Sequence, residues 1–312
     1  MIVSLINIDN PFMSELQTLF GEALCECRQR EEALAKLPQA DVIVTYGGGT
    51  HAVQLDDELL SVSKKLKLVC SLTAGVENLP LEKLHAMGVK VSNTKGAQGG
   101  SIAEYVIGHM IFFSHHYQAH MLNQQQHLWV PPAPGEDIDG QTLCIVGTGA
   151  IGKVIAQKAK GAGMRVIGVD KYPAPYEAFE QVYGLEALQK ALGESDFVVM
   201  ATPLTEETRY MIGEKEFHAM KNKAVFINIS RGDTVDETAL IRALEAKTIA
   251  GAILDVFHEE PLPKDSPLWA MKNVFITPHA AGPTINTIRN SARICYENTM
   301  RSRSGEPIVN EL

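Results

Sequence analysis

The chain has 312 residues, 45% apolar and 21% charged, with a formal net charge of −9. That length exceeds what a single core usually supports and favours two domains. The acidic balance excludes the basic stripe that nucleic acid or an anionic membrane needs, although a local Arg or a few amides can still hold a small anion.

The longest apolar helical run, "VIGHMIFF" at 106–113, is too short to span a bilayer. The opening "MIVSLINIDN" has neither a basic segment nor a cleavage site, so export is not expected. Five cysteines (Cys25, Cys27, Cys70, Cys144, Cys295) are an odd number without framework spacing, and are expected as reduced thiols in a cytoplasmic protein. Among ten histidines, His116 and His120 stand i, i+4 on an expected helix, but no third ligand is recognisable. A polar face or an oligomer contact is expected there, and no metal.

In chain order, the first strand candidates are 2–8, 41–46, 66–72 and 89–94, with helical stretches at 12–24, 55–64 and 80–87 between them. The Gly-rich break at 95–100 precedes one long helix from Ser101 to Met121, then a Pro-rich loop at 128–140. A second set of strands follows at 142–147, 165–170, 196–202, 224–230, 251–257 and 274–279, and a last helix runs over 284–305. Continuous apolar strands alternating with helices are the pattern of parallel sheets covered on both faces. Two doubly wound α/β domains are therefore expected, one over 1–97 with 284–312 and one over 98–283.

Two glycine stretches raise the question of a nucleotide. "CIVGTGAIGK" places Gly147, Gly149 and Gly152 in a GxGxxG spacing between a buried strand and a helix, and a second strand ends in Asp170, eighteen residues after Gly152. In such a βαβ unit Gly147 allows the tight turn and Gly149 lets the backbone meet a pyrophosphate. Gly152 permits close helix–strand packing, and the amides of Ala150 and Ile151 face the phosphate. Asp170 can accept bonds from both adenosine ribose hydroxyls and repels a 2′-phosphate, which favours NAD over NADP; the adjacent Lys171 weakens that preference. The other stretch, "YGGGTH" at 46–51, belongs to the first domain, where it either lines a substrate site or is a plain turn.

Three further motifs sit at strand ends of the second domain. "INISRGDTVDETAL" carries Arg231, "GAILDVFHEEPLP" carries Asp255, Glu259 and Glu260, and "VFITPHAAG" carries His279. Each residue alone has a mundane alternative, as a surface ion pair, a solvated acidic turn or a buried satisfied His. Together with "NTKGAQGGSIAEYVIGHM" and "ATPLTEETRYMI", in this order and spacing, they resemble the D-isomer-specific 2-hydroxyacid dehydrogenase family over nearly the whole chain.

That resemblance implies a flavodoxin-like substrate domain and a Rossmann NAD-binding domain with a cleft between them, and interconversion of a D-2-hydroxy acid with its 2-oxo acid. Arg231 would bind and polarise the substrate carbonyl, His279 would give or take the proton, and Glu260, directly before Pro261, would orient the imidazole. Asp255 would meet the nicotinamide carboxamide. Thr202, Pro203, Ile229, Ser230, Ala280, Ala281 and Gly282 would line the coenzyme site. Tyr46 and Gly47 would face the substrate, and the amides of Thr73, Ala74, Gly75 and Val76 would grip its carboxylate. Relatives acting on phosphorylated acids tend to carry arginines in the loop at 46–51; this chain has none there, so an unphosphorylated small acid is expected. Phosphoglycerate and phosphite oxidation remain as alternatives within the family, and an NADH-sensing, corepressor-like binding protein as one of another class. The resemblance further implies a homodimer through the coenzyme domain, for which Ile102, Val106, Met110 and Phe113 offer an apolar helix face.

Overall fold

Alternate residues of the first strand belong to different layers: Ile2 packs with Val42, Val44, Leu68 and Cys70, whereas Val3 packs with Ile43, Val69 and Val91. A pleated strand with both faces buried requires this. The computed structural model describes residues 1–7, 11–47, 52–131 and 133–312, so Gly48, Gly49, Thr50 and His51 of the first glycine stretch lie outside the described residues. The chain divides into two compact units, Met1–Gln98 with Pro283–Leu312, and Gly99–Gly282.

In unit 1 five parallel strands, β1 (Ile2–Ser4), β2 (Leu24–Glu26), β3 (Val42–Thr45), β4 (Leu68–Ser71) and β5 (Lys90–Ser92), lie in the order β2-β1-β3-β4-β5. This is the flavodoxin-like order, whose direction reverses between β1 and β3. One face is covered by α1 (Pro11–Phe20) and α11 (Ile285–Ser304) through Phe12, Leu16, Ile288, Ala292 and Cys295. The other is covered by α2 (Arg30–Lys36), α3 (Asp57–Val62) and α4 (Leu81–Ala86) through Ala33, Leu59, Leu60 and Leu84. Both ends of the chain thus build this unit.

Unit 2 holds seven parallel strands: β6 (Thr142–Val146), β7 (Arg165–Val169), β8 (Gln181–Tyr183), β9 (Phe197–Met200), β10 (Val225–Asn228), β11 (Gly251–Leu254) and β12 (Val274–Ile276). Their order is β12-β11-β10-β9-β6-β7-β8, so the direction of winding reverses at β6. Leu143, Ile145, Val199 and Ile227 pack under α5 (Gly99–Ser114) and α7 (Ala150–Gly161). Cys144, Val146, Val198 and Phe226 pack under α8 (Leu188–Glu194), α9 (Glu214–Ala219) and α10 (Glu237–Glu245).

Three expectations need correction. The helix expected from Ser101 to Met121 is broken: α5 ends at Ser114 and α6 spans Tyr117–Gln125, with His116 in the left-handed region at φ 53°. The Ser114 carbonyl, which a continuing helix would use, accepts instead from the amide of Glu136 in the returning loop. His116 is consequently the cap of α6, its carbonyl accepting from His120 N (3.2 Å), so the two histidines are still one turn apart at the start of α6. The apolar face of α5 is not free either. Ile102, Val106 and Met110 are buried in the unit's own core with Phe113 packed against them. Strands β2 (LCE) and β8 (QVY) went unpredicted because they are partly exposed and carry polar residues, whereas the equally short β1, β5 and β12 lie within longer apolar runs.

Candidate active site

Parallel strands deliver all their C-terminal ends to one edge of a sheet, where ligands of doubly wound folds sit. In unit 2 that edge carries Gly147 after β6, Asp170 after β7, Thr202 after β9, Arg231 after β10, Asp255 and Glu260 after β11, and His279 after β12.

The glycine loop lies where the winding reverses. Gly147 has φ +101°, and a Cβ on it would stand 2.7 Å from the Ala201 carbonyl carbon and oxygen. A Cβ on Gly152 would stand 2.2 Å from the Gly147 carbonyl oxygen, so α7 starts pressed against the turn. Gly149 caps α7 without any side-chain bond and has open space where a Cβ would be. The first-turn amides at Ala150 and Ile151 thus have no side chain from Gly149 across their approach, as phosphate binding at a helix start needs.

The Asp170 carboxylate is fixed on three sides. Its Oδ2 accepts from Thr148 N (2.8 Å) and Thr148 Oγ1 (3.0 Å), and its Oδ1 accepts from Tyr172 N (3.0 Å). Oδ2 is filled by its two bonds and Oδ1 keeps one acceptor position, so Asp170 has room for one ribose hydroxyl rather than the expected two. Thr202 has a buried hydroxyl with no partner among the described residues, beside the Gly147 turn. Pro203 is exposed, whereas the Ile229 and Ala281 side chains are buried in the core, leaving only their backbones for a ligand. Ser230 is buried as well, its hydroxyl bonded to Asn228 and Thr234. A glycine cradle, first-turn helix amides, an orphaned hydroxyl and a held carboxylate fit a dinucleotide.

Arg231 begins the tight turn Gly232–Thr234. Its carbonyl accepts from Asn228 Nδ2 (3.2 Å), Thr234 Oγ1 (2.7 Å) and Thr234 N (3.1 Å), which fixes the point from which the side chain departs. Gly232 presses on the peptide between Phe257 and His258 so closely that a Cβ would lie 1.9 Å from the Phe257 carbonyl. One residue further on, Asp233 bonds His258 Nδ1 at 2.5 Å and also pairs with Arg209. The loop of Arg231 is therefore registered against the loop that leads to Glu260.

His279 Nδ1 lies 2.8 Å from Glu260 Oε2, and Glu260 Oε1 accepts from Phe257 N at 3.1 Å. A carboxylate only accepts, so Nδ1 carries the proton of that bond and Nε2 is left without a protein partner among the described residues. The bond to Glu260 raises the His279 pKa above its ordinary 6.5, outweighing burial and the nearby Arg231 charge, which both lower it. Burial works against ionised Glu260, but the bonds from His279 and Phe257 N–H and the Arg231 charge hold its pKa below the ordinary 4.5. Both shifts favour the imidazolium–carboxylate form of the pair.

The backbone at His279 is left-handed, φ 53°, an uncommon state for a residue with a Cβ. Asp255 holds it there. Its carbonyl accepts from His279 N (2.9 Å), Oδ1 accepts from Ala280 N (2.7 Å) and Thr277 Oγ1 (2.6 Å), and Oδ2 accepts from Ala281 N (3.0 Å). Tyr105 reaches the far side of Thr277 at 2.6 Å. Asp255, only 2% exposed, thus anchors the His279 loop and keeps one acceptor position on Oδ2. Thr148, Thr277, Tyr105, Asp233 and His258 lie inside the quoted motifs but escaped the sequence reading, because each acts through a partner distant in sequence that spacing does not reveal.

In unit 1, Gly47 N donates to Ser71 Oγ and Thr73 Oγ1, each at 3.1 Å, and Gly47 packs against Gly75 with no room for a Cβ. The Tyr46 ring meets Phe12 edge-on at 5.8 Å and is half-buried. The Thr73 amide is already donated to Ser71 Oγ (3.2 Å), so the row of four amides expected to hold a carboxylate shrinks to those of Ala74, Gly75 and Val76, which meet no acceptor among the described residues.

A doubly wound sheet with a glycine loop at its reversal point and an acid–imidazole pair on the same edge defines a dinucleotide-dependent oxidoreductase. Residues 107–281 match the model of the D-isomer specific 2-hydroxyacid dehydrogenase family, NAD binding domain. The chain is 38% identical to a glyoxylate reductase of Korarchaeum cryptofilum over 259 residues, covering 81% of this chain and 77% of that one. The crystal structure of a D-isomer specific 2-hydroxyacid dehydrogenase family protein from Aeromonas salmonicida superposes with a TM-score of 0.86 at 31% identity, covering 100% of this chain and 98% of the other. A family member from Xanthobacter autotrophicus, in complex with NADPH and MES, superposes with a TM-score of 0.81 at 28% identity, covering 100% and 97%. The chain belongs to the D-isomer specific 2-hydroxyacid dehydrogenase family.

Proposed function

We propose that the chain is an NADH-dependent reductase of a small unphosphorylated 2-oxo acid, forming the D-2-hydroxy acid. The observation that carries this reading is the 2.8 Å Glu260–His279 pair on the same sheet edge as Arg231. When bound, the nicotinamide supplies the hydride. The Arg231 guanidinium holds and polarises the carbonyl oxygen, so negative charge can develop there. His279 delivers the Nε2 proton to that oxygen, and Glu260 holds Nδ1–H so that the ring keeps one orientation and one tautomer. Asp255 keeps the His279 loop in its left-handed turn, and its remaining Oδ2 acceptor position suits a carboxamide N–H. Gly147, Gly149, Gly152 and the amides of Ala150 and Ile151 take the pyrophosphate, Asp170 takes a ribose hydroxyl through Oδ1, and Thr202 and Pro203, the backbone of Ile229 and Ser230, and Ala280 to Gly282 line the nicotinamide end. In unit 1 the free amides of Ala74, Gly75 and Val76 suit a carboxylate.

NADH is favoured over NADPH because Asp170 would face a 2′-phosphate with like charge. An unphosphorylated acid is favoured because residues 46–51 contain no Arg to pair with a phosphate dianion. The glyoxylate reductase likeness points the same way. We further assign self-association to unit 2, at α6 and the residues after it, where Met121, Leu122, Leu128, Trp129 and Val130 are exposed together.

The test is oxidation of NADH, followed by its absorbance, against glyoxylate, pyruvate, hydroxypyruvate, branched and aromatic 2-oxo acids and phosphohydroxypyruvate. Turnover of a small unphosphorylated acid is expected. Activity confined to phosphohydroxypyruvate would overturn the substrate assignment. Tight NADH binding with no turnover would favour a coenzyme-sensing protein instead.

A further inference from the structure

Lys171 directly follows Asp170, the residue assigned to the adenosine ribose, and that is where coenzyme-binding folds place a cation when they accept a 2′-phosphate. Here the cation is already taken. Lys171 Nζ lies 2.7 Å and 2.6 Å from the two carboxylate oxygens of Glu207. Glu207 stands in the loop after β9, while Lys171 stands in the loop after β7. In the sheet those strands flank β6, whose end is the glycine loop. The ion pair therefore joins two loops whose strands flank the coenzyme cradle, and it brings a second carboxylate to the neighbourhood of Asp170.

We propose that Glu207 is a coenzyme-selecting residue, which denies Lys171 to a 2′-phosphate and adds its own negative charge against one. The inference rests on the NADH reading above and assigns part of that preference to a residue outside the glycine motif. Both partners are substantially exposed, with Lys171 46% and Glu207 61% accessible, so the pair exchanges with solvent and can re-form around another anion. Selection is accordingly graded, an adjustment laid over the larger effect of Asp170. Neutralising Glu207 has two consequences of the same sign. One carboxylate leaves the field of the phosphate, and Lys171 becomes available to pair with it.

The test measures equilibrium binding of NADH and NADPH by the fluorescence of the reduced coenzymes, with AMP and adenosine 2′,5′-bisphosphate as fragments that differ only by the 2′-phosphate. Wild type, Glu207→Gln, Lys171→Met and the double variant are compared. Because an exposed pair is worth little, Glu207→Gln is expected to tighten NADPH and the bisphosphate by about two- to fivefold, with a smaller change for NADH and AMP. The gain is expected to vanish in the double variant, since it needs the Lys171 cation. A wild-type preference for NADH with no tightening in Glu207→Gln would overturn the role of Glu207 alone. Equal tightening in the double variant would overturn the part assigned to Lys171. A wild-type preference for NADPH would overturn the NADH reading and this inference with it.

Discussion

Replacing Glu260 by Gln tests how the imidazole is tuned. The substitution keeps the size of the side chain but removes the charge and one of the two acceptors, so the amide oxygen can serve Phe257 N or His279 Nδ1–H and not both. A hydrogen bond to a charged partner contributes about 1.5–3 kcal/mol when sheltered. The Glu260 and His279 side chains are 37% and 50% exposed, so solvent screening reduces this to about 1–2 kcal/mol. At neutral pH kcat/KM for reduction is therefore expected to fall by about 5- to 30-fold. The sign with pH follows from the same bond. Reduction needs protonated His279, so wild-type activity persists above the ordinary 6.5 and falls as pH rises through the raised pKa. Without the carboxylate, burial and Arg231 both lower that pKa, and the falling limb moves to lower pH. Part of the lost activity returns on acidification, and oxidation of the hydroxy acid extends further down the pH scale. Stability obeys the matching rule. The raised His279 pKa stabilises the fold below 6.5 and ceases to as pH rises through it, whereas the lowered Glu260 pKa stabilises above 4.5 and ceases to as pH falls through it. The assay is steady-state reduction of the best 2-oxo acid over a pH series. A falling limb at the same pH in both proteins would refute the tuning argument.

Gly232→Ala is expected to cost about 1–3 kcal/mol or more in urea unfolding, since the new Cβ would lie 1.9 Å from backbone atoms of Phe257 that cannot rotate away. An unchanged urea midpoint would contradict that packing. Gly149→Ala separates binding from folding. Its Cβ meets no atom within 4 Å, so the unfolding midpoint should hold while NADH affinity drops by about tenfold, or 1.4 kcal/mol, because the methyl occupies the phosphate approach. Met121→Glu combined with Trp129→Ser is expected to lower the mass found by sedimentation velocity if the α6 surface joins two copies, and an unchanged mass would exclude that surface.

Much of the candidate site was legible because its residues lie at or just past strand ends. Gly147, Asp170, Arg231 and His279 stand just past strand ends and Glu260 in the loop after β11, and parallel sheets gather such ends on one edge. What stayed hidden depends on contacts between distant segments. The break at His116 comes from Glu136 capturing the Ser114 carbonyl, a bond across 22 residues that no local propensity encodes. The apolar residues Ile102, Val106 and Met110 looked available because periodicity shows that a face is apolar and not what covers it; here it is the unit's own sheet. The Thr73 amide is consumed by the Ser71 hydroxyl two residues away, a local turn whose choice of acceptor the sequence leaves open. Asp255 reads as a ligand contact by its motif, yet most of its acceptor capacity holds the His279 loop, and that function rests on a left-handed residue invisible in composition or spacing.

The central claim, that His279 is the proton donor for 2-oxo acid reduction, is tested most directly by His279→Asn. Asparagine tolerates the left-handed backbone found at this position but cannot transfer the proton. kcat/KM for the 2-oxo acid is expected to fall by about 10²–10⁴-fold while the Kd for NADH stays within about twofold. A variant that keeps its rate within about tenfold of wild type, with the same pH profile, would contradict the account.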